Sequence, residues 1–418
     1  MARTSPLLPL HDAAGAVLAP YGPDNAPDAI PLVQVYSGID REYAAIRKSA
    51  AVFDCPHRAV LTVTGDDRLA FLNRMITQEL KGLPGDGTPP FGLRRSFWLN
   101  RKGRIDADLV VIAQPDAILL ELDAHAAARA VETLSAFVIA DDVQIADQGD
   151  RSHRLDLHGA HAGTLLARVA LPAAGSPSIS ELPIDAAGFY QIARETVLIW
   201  RNDATGDPGF SLLIPAARAA DIYGLLAEQL DERTRDRARP DRAFDLKQPA
   251  ADFRAVRAGW HAFNIARIEA GTAVYYLDYG PTSLPHETGT ETLNSRVSFN
   301  KGCYLGQEVV ARMNALGHPK QRLVGLDLSG AGNAQPVTGS LLFAADDTSQ
   351  PSVGAVTSSA ASPMLGGRSV CFAMVRYANA NPGSQLFLQS NEQSALVPAN
   401  VRESLRFWTR PTPAAASN

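Results

Sequence analysis

The sequence predicts an α+β protein in which two α+β parts are followed by a C-terminal all-β barrel. Strand-like and helix-like segments follow one another in mixed order from about residue 41 to residue 230, which is typical of antiparallel sheets with helices on one side. From Gln321 onward, short apolar runs alternate with Gly, Asn, Asp, Ser and Pro, which predicts a small barrel or sandwich. The chain has 418 residues, more than one ordinary core requires.

Composition and charge narrow the class of protein. There are 39 basic and 44 acidic side chains, a formal charge of −5, and this balance argues against a protein that binds nucleic acid by neutralising phosphates. No apolar run reaches the roughly 18 residues of a membrane span. The three cysteines lie far apart, which argues against a disulfide scaffold and against a metal site built by this chain alone. We expect a cytoplasmic monomer that binds neither membrane nor nucleic acid.

The individual elements follow from hydrophobic spacing. Residues 1–40 are rich in Pro, Gly and Asp and are expected to form an irregular arm. Alternating apolar residues predict strands over 59–65, 94–100, 107–113, 117–122, 153–159, 195–203 and 209–215. Helical spacing predicts helices over 41–51, 69–76, 125–138, 161–170 and 216–230. The stretch 231–242 mixes charges of both signs, which predicts a solvated loop or helix end.

The breaker Gly317-His318-Pro319 separates the α+β part from the strand-rich part. We therefore place one domain at residues 1–315, formed by two discontinuous α+β subdomains, and the barrel domain at residues 316–418.

The segment 299–313 has the strongest functional pattern. It combines a lysine, a cysteine, a tyrosine, a glutamine and a glutamate with Gly302 and Gly306, and then continues as a helix-forming run. The glycines predict a tight turn, and positive charge near a helix start would favour the thiolate form of Cys303. The alternative is that Cys303 is a small buried hydrophobe.

Two further segments combine polar and aromatic side chains. Residues 266–289 place tyrosines close to an arginine and carboxylates, a composition suited to a flat heteroaromatic ligand, or else to an aromatic loop packed on the core. In 98–111, Asp106 and Asp108 share one strand face, where they could perform acid–base chemistry or simply lie in solvent.

With these residues assembled, the chain resembles the folate-binding YgfZ-type family, a branch of the glycine-cleavage T-protein superfamily. The resemblance covers about Tyr36 to Arg406. It is carried by Lys301-Gly302-Cys303-Tyr304-Leu305-Gly306-Gln307-Glu308, with support from Phe53-Asp54, His57, Val63-Thr64-Gly65-Asp66, Phe71-Leu72, Thr77, Asn100, Gly103-Arg104, Arg267-Ile268-Glu269-Ala270-Gly271 and Leu284-Pro285-His286-Glu287. It implies three parts arranged around a central folate site, and a factor that supports assembly or repair of iron–sulfur enzymes and so affects tRNA modification indirectly.

The resemblance also implies the site residues. Cys303 would be the functional thiol, and Asp108 is a weaker candidate for a catalytic acid. The residues expected to bind tetrahydrofolate or a derivative are Asn100, Arg104, Arg267, Glu269, Tyr276, Lys301, Tyr304, Gln307 and Glu308. Iron–sulfur client or assembly proteins are the implied partners, and no metal ligand is expected.

Two departures from the aminomethyltransferase pattern separate this chain from that enzyme. Ala107 stands where the transferases have a catalytic aspartate, and Ser211 stands where a glutamate grips the pterin ring. An alanine cannot accept a proton, and a serine hydroxyl lacks the paired acceptors of a carboxylate. The resemblance therefore implies a protein that is not a typical aminomethyltransferase.

Three alternatives remain open at this point. The thiol could ligate a cluster, trap a one-carbon unit or sense redox state. The chain could still be a tetrahydrofolate-dependent aminomethyltransferase or demethylase, with Asp108 in place of the missing acid. It could also be a scaffold whose folate pocket is a relic.

Overall fold

The computed structural model describes residues 3–22, 28–83, 88–227, 254–328, 335–389 and 396–410. They form two compact units. The first comprises Met1–Asp203, Pro208–Phe263 and Asn294–Ala311, and the second comprises Ala204–Asp207, Asn264–Leu293 and Arg312–Asn418. The predicted loop 231–242 and the end of the predicted helix 216–230 lie outside the described residues. The domain division at residue 315 stays a prediction.

The described α-helices, in chain order, are α1 Leu8–Ala13, α2 Ile39–Lys48, α3 Arg68–Met75, α4 Ala124–Ser135, α5 Ala162–Val169, α6 Ala219–Leu226, α7 Trp260–Glu269, α8 Thr290–Arg296 and α9 Gln307–Leu316. The strands before residue 260 are β1 Val17–Tyr21, β2 Ile30–Val35, β3 Ala51–Asp54, β4 Arg58–Thr64, β5 Phe91–Leu99, β6 Ile105–Ala113, β7 Ile118–Asp123, β8 Gln144–Asp147, β9 Ser152–His158, β10 Leu171–Pro172, β11 Ala186–Ile192, β12 Glu195–Arg201, β13 Gly209–Pro215 and β14 Val256–Arg257. The remaining strands are β15 Gln321–Asp327, β16 Leu341–Phe343, β17 Gly354–Ser362, β18 Arg368–Arg376, β19 Gln385–Gln389 and β20 Leu396–Val401.

The first unit is built on one 12-stranded mixed sheet in the order β14-β3-β9-β13-β12-β11-β5-β6-β7-β4-β8, with β10 paired to β11. Apart from the parallel pair β14–β3, its pairings are antiparallel. The side chains of β9, β12 and β13 pack with helices α5 and α6 into a buried apolar cluster, which includes Leu157, Leu165, Ile199 and Leu226. This packing confirms the α+β class, because the helices cover one face of antiparallel strands.

The N-terminal residues depart from the expectation of an irregular arm. They form helix α1 and the antiparallel pair β1–β2. His11 of α1 is buried, and its Nε2 lies 2.7 Å from Asp54 Oδ2, a partner 43 residues away in the sequence. The prediction of an irregular arm from Pro and Gly content is therefore wrong. The contact of His11 with Asp54 is distant in the sequence, so it gives no regular periodicity from which the helix could be predicted.

The second unit contains a closed barrel in the order β15-β18-β17-β16-β19-β20. Its inward-facing side chains, among them Leu326, Cys371, Leu386 and Val397, are buried in a single cluster. Closure pairs the edge strands, which otherwise expose unpaired backbone groups. The predicted all-β C-terminal part is confirmed.

The predicted and observed bounds agree closely in most elements. The helix predicted over 41–51 lies at Ile39–Lys48, and Ala51 already begins a strand. The helix predicted over 69–76 lies at Arg68–Met75, where Leu69 is exposed while Phe71 and Leu72 are buried. Among the described residues, no helix is both long enough and apolar enough to cross a membrane.

Candidate functional site

The turn that precedes α9 is held by the ammonium group of Lys301. Its Nζ donates hydrogen bonds to the carbonyl oxygens of Asn73, Ile76 and Gln78, at 2.7, 2.8 and 2.8 Å. An ammonium group has three donors, so all three are used. Lys301 is buried and lies 5.3 Å from the Tyr304 ring centroid, and burial lowers the pKa of Lys301 to about 8.

We call residues 301–308 the hallmark turn, and it contains both buried and exposed residues. Lys301 and Tyr304 are buried, whereas Cys303 and Glu308 are exposed. Gln307 Oε1 accepts a hydrogen bond from the Tyr304 backbone N–H at 3.2 Å, which closes the turn. The ammonium that was expected to polarise the thiol is directed at carbonyl oxygens instead. The alternative of Cys303 as a buried hydrophobe is wrong.

The β5–β6 hairpin turn packs directly against this segment. Asn100 Oδ1 accepts hydrogen bonds from the backbone N–H groups of Lys102 and Arg104, at 3.0 and 3.2 Å. Gly103 and Gly306 both have positive φ, +70° and +80°. A Cβ on Gly306 would lie 2.9 Å from the Asn100 carbonyl oxygen, so the two turns meet at glycine. The structure thus brings Asn100 and the exposed Arg104 to the hallmark turn.

The two aspartates of β6 are engaged rather than solvated. Asp106 is buried and accepts a hydrogen bond from Asn100 Nδ2 at 3.0 Å. Asp108 Oδ1 accepts one from Arg296 Nε at 2.8 Å. Ala107 is fully buried, paired with Trp98 on the opposite face of the strand. The solvated-face alternative for these carboxylates is therefore wrong.

A buried charge cluster that sequence reasoning missed connects β4, β7, β9 and β13. Arg58 Nη2 donates to Glu121 Oε2 at 2.8 Å, and Arg154 Nη1 also donates to Glu121. Arg154 contacts Asp156 through two bonds of 2.8 Å. Burial opposes ionisation of Asp156, but the Arg154 guanidinium outweighs it and holds the pKa of this carboxyl well below its usual range. This arrangement keeps a carboxylate charged inside the sheet.

Ser211 belongs to the same cluster. It pairs with Asp156 across β13 and β9. Its hydroxyl accepts hydrogen bonds from Arg154 Nη2 at 2.9 Å and from Asn202 Nδ2 at 3.0 Å. The transferase pattern has a pterin-binding acid at this position. Here the position is a serine, and its hydroxyl is already hydrogen-bonded to two side chains of the protein. Asp156 places a carboxylate on the neighbouring strand.

A pocket opens beside this cluster, within the first unit. Its lining residues are Leu32, Val33, Phe53, Asp54, Cys55, His57, Asp156, Ala258, Gly259, Trp260 and Phe263. Asp54 is held between His11 and His153, at 2.7 and 2.5 Å. His57 Nδ1 is buried without a hydrogen-bond partner in the part of the chain that the structure describes. Burial, with Arg58 nearby, lowers the pKa of His57 to about 3, so the ring is neutral.

Arg267, Glu269 and Tyr276 lie in the second unit. Arg267 is fully buried and donates to Asp278 Oδ2 at 2.7 Å and Ser358 Oγ at 2.6 Å. Glu269 Oε1 accepts from Ser362 Oγ at 2.5 Å. These bonds attach the end of α7 to the barrel.

Tyr276 has φ +70°, and its ring centroid lies 4.4 Å from that of Tyr275. A folate contact for Tyr276, Arg267 or Glu269 stays a prediction.

Part of the buried charge cluster could have been predicted from the sequence. Arg154 and Asp156 alternate within a strand of otherwise apolar character, which places both charges on one face. His11 carries no such signal, because its partner Asp54 is distant in the sequence.

The fold and the site define a protein with an α+β sheet unit, a closed barrel unit and a charged pocket in the sheet unit. The family model described as the GCVT N-terminal domain matches residues 7–235. The model described as the glycine cleavage T-protein C-terminal barrel domain matches residues 321–406. The chain belongs to the glycine cleavage T-protein family.

Similar proteins agree with this assignment. The aminomethyltransferase of Thermotoga neapolitana is 27% identical over 380 residues, which cover 89% of this chain and 90% of that protein. The aminomethyltransferase of Thermotoga maritima is 28% identical over 379 residues, 89% of each chain. The crystal structure of glycine cleavage system aminomethyltransferase T from Bartonella henselae superposes with a TM-score of 0.75 over 98% of both chains, at 23% identity. This last likeness shows the fold alone.

Proposed function

We propose that this protein is a tetrahydrofolate-binding accessory factor of the YgfZ-type branch, which acts in the cytoplasm to support assembly or repair of iron–sulfur enzymes. The observation that carries the proposal is the exposed thiol of Cys303, presented on a turn that Lys301 anchors through three hydrogen bonds. A cysteine with only a structural role in a core would not need to be exposed on an anchored turn.

The side chains that line the pocket of the first unit have the chemistry that suits the pterin end of a folate. Phe53, Trp260 and Phe263 supply aromatic walls for a flat ring system. Asp156 lines the pocket, and its carboxylate, although each oxygen accepts from Arg154, has further lone pairs that could receive the N–H groups of a pterin edge. His57 Nδ1, which has no hydrogen-bond partner among the residues that the structure describes, offers a further polar contact. When bound, tetrahydrofolate supplies a carrier for one-carbon units.

Two substitutions support a role other than aminomethyl transfer. The methyl group of Ala107 is fully buried and can neither accept nor donate a proton. The Ser211 hydroxyl is already engaged by Arg154 and Asn202. Both positions therefore lack the acid groups that the transferase pattern requires.

The exposed thiol is accessible to a partner protein. It could ligate a cluster, trap a one-carbon unit or sense redox state, and each of these requires access to Cys303. The net charge of −5 favours iron–sulfur client or assembly proteins over tRNA as the direct partner.

Genetic rescue tests the role of the thiol. The Cys303→Ala variant, expressed in a bacterial strain that lacks its own protein of this branch, should fold normally and fail to restore iron–sulfur enzyme activity. The matched control is Cys371→Ala, which removes a buried barrel thiol and should restore activity. Full rescue by Cys303→Ala would overturn the proposal.

One observation favours a second function. Asp108 is adjacent in sequence to the vacant acid position and is fixed by Arg296 at 2.8 Å, and the relatives above are named aminomethyltransferases. The alternative is a tetrahydrofolate-dependent aminomethyltransferase or demethylase with Asp108 as the acid.

A turnover assay separates this alternative from the accessory role. Turnover of an N-methyl or aminomethyl donor by the purified protein, abolished in Asp108→Asn but retained in the loop control Asp116→Asn, would establish the alternative. We expect no turnover.

A further inference from the structure

Arg95 is a cation without a partner in the sheet of the first unit. It lies on β5 opposite Val110 of β6, which in turn pairs with Glu121 of β7. Arg95, Asp108 and Glu121 therefore share one face of the sheet. Arg95 is half-buried, and its guanidinium makes no hydrogen bond or ion pair with any residue in the described ranges.

The charged neighbours of Arg95 are already engaged with other groups. They are Arg296, Asp108, Glu121 and Arg154. Asp108 accepts a bond from Arg296 at 2.8 Å, and the Arg296 guanidinium lies 5.7 Å from the Phe97 ring centroid.

Glu121 is occupied in the same way, because it accepts bonds from both Arg58 and Arg154. Four guanidinium groups thus lie near three carboxylates that already have partners: the arginines are Arg58, Arg95, Arg154 and Arg296, and the acids are Asp108, Glu121 and Asp156.

An unpaired, half-buried guanidinium is unfavourable for folding alone. Burial removes part of its hydration, and the neighbouring Arg296 repels it, so the pKa of Arg95 falls to about 10. Arg95 is still a cation at neutral pH, and its five N–H donors have no hydrogen-bond acceptor among the residues that the structure describes.

Arg94, the next residue on β5, shows the contrast. It points to the other face of the strand, where its Nη1 donates to the Leu93 carbonyl and lies 3.7 Å from Asp185. Arg94 is therefore paired, whereas Arg95 on the opposite face has no hydrogen bond or ion pair among the described residues.

We propose that Arg95 is the docking point for a carboxylate group of the ligand bound by the first unit. This inference rests on the proposed function, because the glutamate tail of a folate supplies such a carboxylate and the pterin head does not. A planar guanidinium receives a carboxylate through two parallel hydrogen bonds. The nearby Arg296 adds a second positive charge on the same side.

Calorimetric titration with two ligands tests this assignment. Tetrahydrofolate carries the carboxylate tail, and 6-methyltetrahydropterin carries the head alone. In Arg95→Met, the affinity for tetrahydrofolate should fall about 10-fold or more, because a charge-assisted bidentate contact is lost. The affinity for 6-methyltetrahydropterin should stay within about twofold. Arg95→Lys should lie between wild type and Arg95→Met, and the control Arg94→Met should match wild type for both ligands.

Thermal unfolding of the same variants separates recognition from a structural role. Removing an unpaired charge should leave the Tm of Arg95→Met equal to or above that of wild type. A clearly lower Tm, or failure to fold, would mean that Arg95 has a partner within the protein and would overturn the proposal.

The calorimetric outcomes distinguish a wrong assignment of Arg95 from a wrong folate function. If wild type binds tetrahydrofolate but Arg95→Met binds it equally well, or weakens both ligands alike, the assignment of Arg95 is wrong and the folate function stands. If wild type binds neither ligand, the folate function itself is wrong, and the assignment fails with it.

Discussion

Lys301 shows how a single hallmark residue serves the fold. Its ammonium joins the turn before α9 to the end of α3 and the residues that follow it, by donating to three backbone carbonyls. Without Lys301, the three carbonyl oxygens would lose their charged donor. Buried polar groups without partners lower the free energy of unfolding. Its expected role in folate binding stays a prediction, and any such contact would have to share these donors.

Lys301→Met should lower the free energy of unfolding by about 2–4 kcal/mol, because three carbonyl oxygens lose their charged donor inside the protein. Urea denaturation measures the change. The exposed Lys102→Met on the hairpin turn is the control and should change stability by about 0.5 kcal/mol or less. Equal effects of the two substitutions would contradict the structural role of Lys301.

The three cysteines should differ sharply in reactivity. Cys303 is exposed, whereas burial raises the pKa of Cys371 to about 12 and raises that of Cys55 well above its usual value. Titration with a disulfide reagent should therefore modify one thiol per native chain and three after denaturation. Cys303→Ala should abolish the rapid phase. Rapid modification of two thiols in the native protein would contradict this arrangement.

His57 makes stability depend on pH. Its folded pKa of about 3 lies below the ordinary value of 6.5, so the unfolded chain binds more protons between these two values. The free energy of unfolding should therefore be lower at pH 5 than at pH 7.5, by up to about 2 kcal/mol from this residue. In His57→Leu, urea denaturation should show a smaller difference between the two pH values. An unchanged difference would contradict a buried, neutral ring.

At the scale of elements, the site depends on the contact between the β5–β6 turn and the turn before α9. Both turns use glycines with positive φ, and each glycine faces the other segment at close range. A Cβ on Gly103 would lie 2.8 Å from Val309 Cβ, and one on Gly306 would lie 2.9 Å from the Asn100 carbonyl. A side chain at either glycine would therefore force the two segments apart.

Gly306→Ala should destabilise the protein by about 2 kcal/mol or more, because it adds a left-handed backbone penalty to a backbone clash. Gly302→Ala in the same turn is the control, since its Cβ would meet nothing within 4 Å and its φ is not positive. Thermal unfolding compares the two. Similar Tm values for both variants would contradict the proposed contact.

Elements with regular periodicity could be predicted from the sequence. The β5–β6 hairpin and α9 have strong alternation or helical spacing, and both lie where expected. The α1 helix could not be predicted, because it has 6 residues and His11 is held by a distant partner. The contact of Asp156 with Ser211 also escaped prediction, because it depends on the register of β9 against β13.

At the scale of the whole molecule, sequence and structure agree on the fold class, and the family matches cover both units. The candidate site was predicted less completely. The hallmark turn and the β6 carboxylates were identified in advance, whereas the Arg58–Glu121–Arg154–Asp156 cluster and Arg95 were not. Charges that pair across strands distant in the sequence leave no local pattern.

The whole-molecule hypothesis is a folate-binding protein that has lost the acids of the transferase and presents a thiol instead. Calorimetric titration of the wild-type chain with tetrahydrofolate tests it most directly. We predict saturable binding of about one ligand per chain. Cys303→Ala should bind nearly as well, because Cys303 does not line the pocket of the first unit. Absence of saturable binding to the correctly folded wild-type chain would contradict the hypothesis.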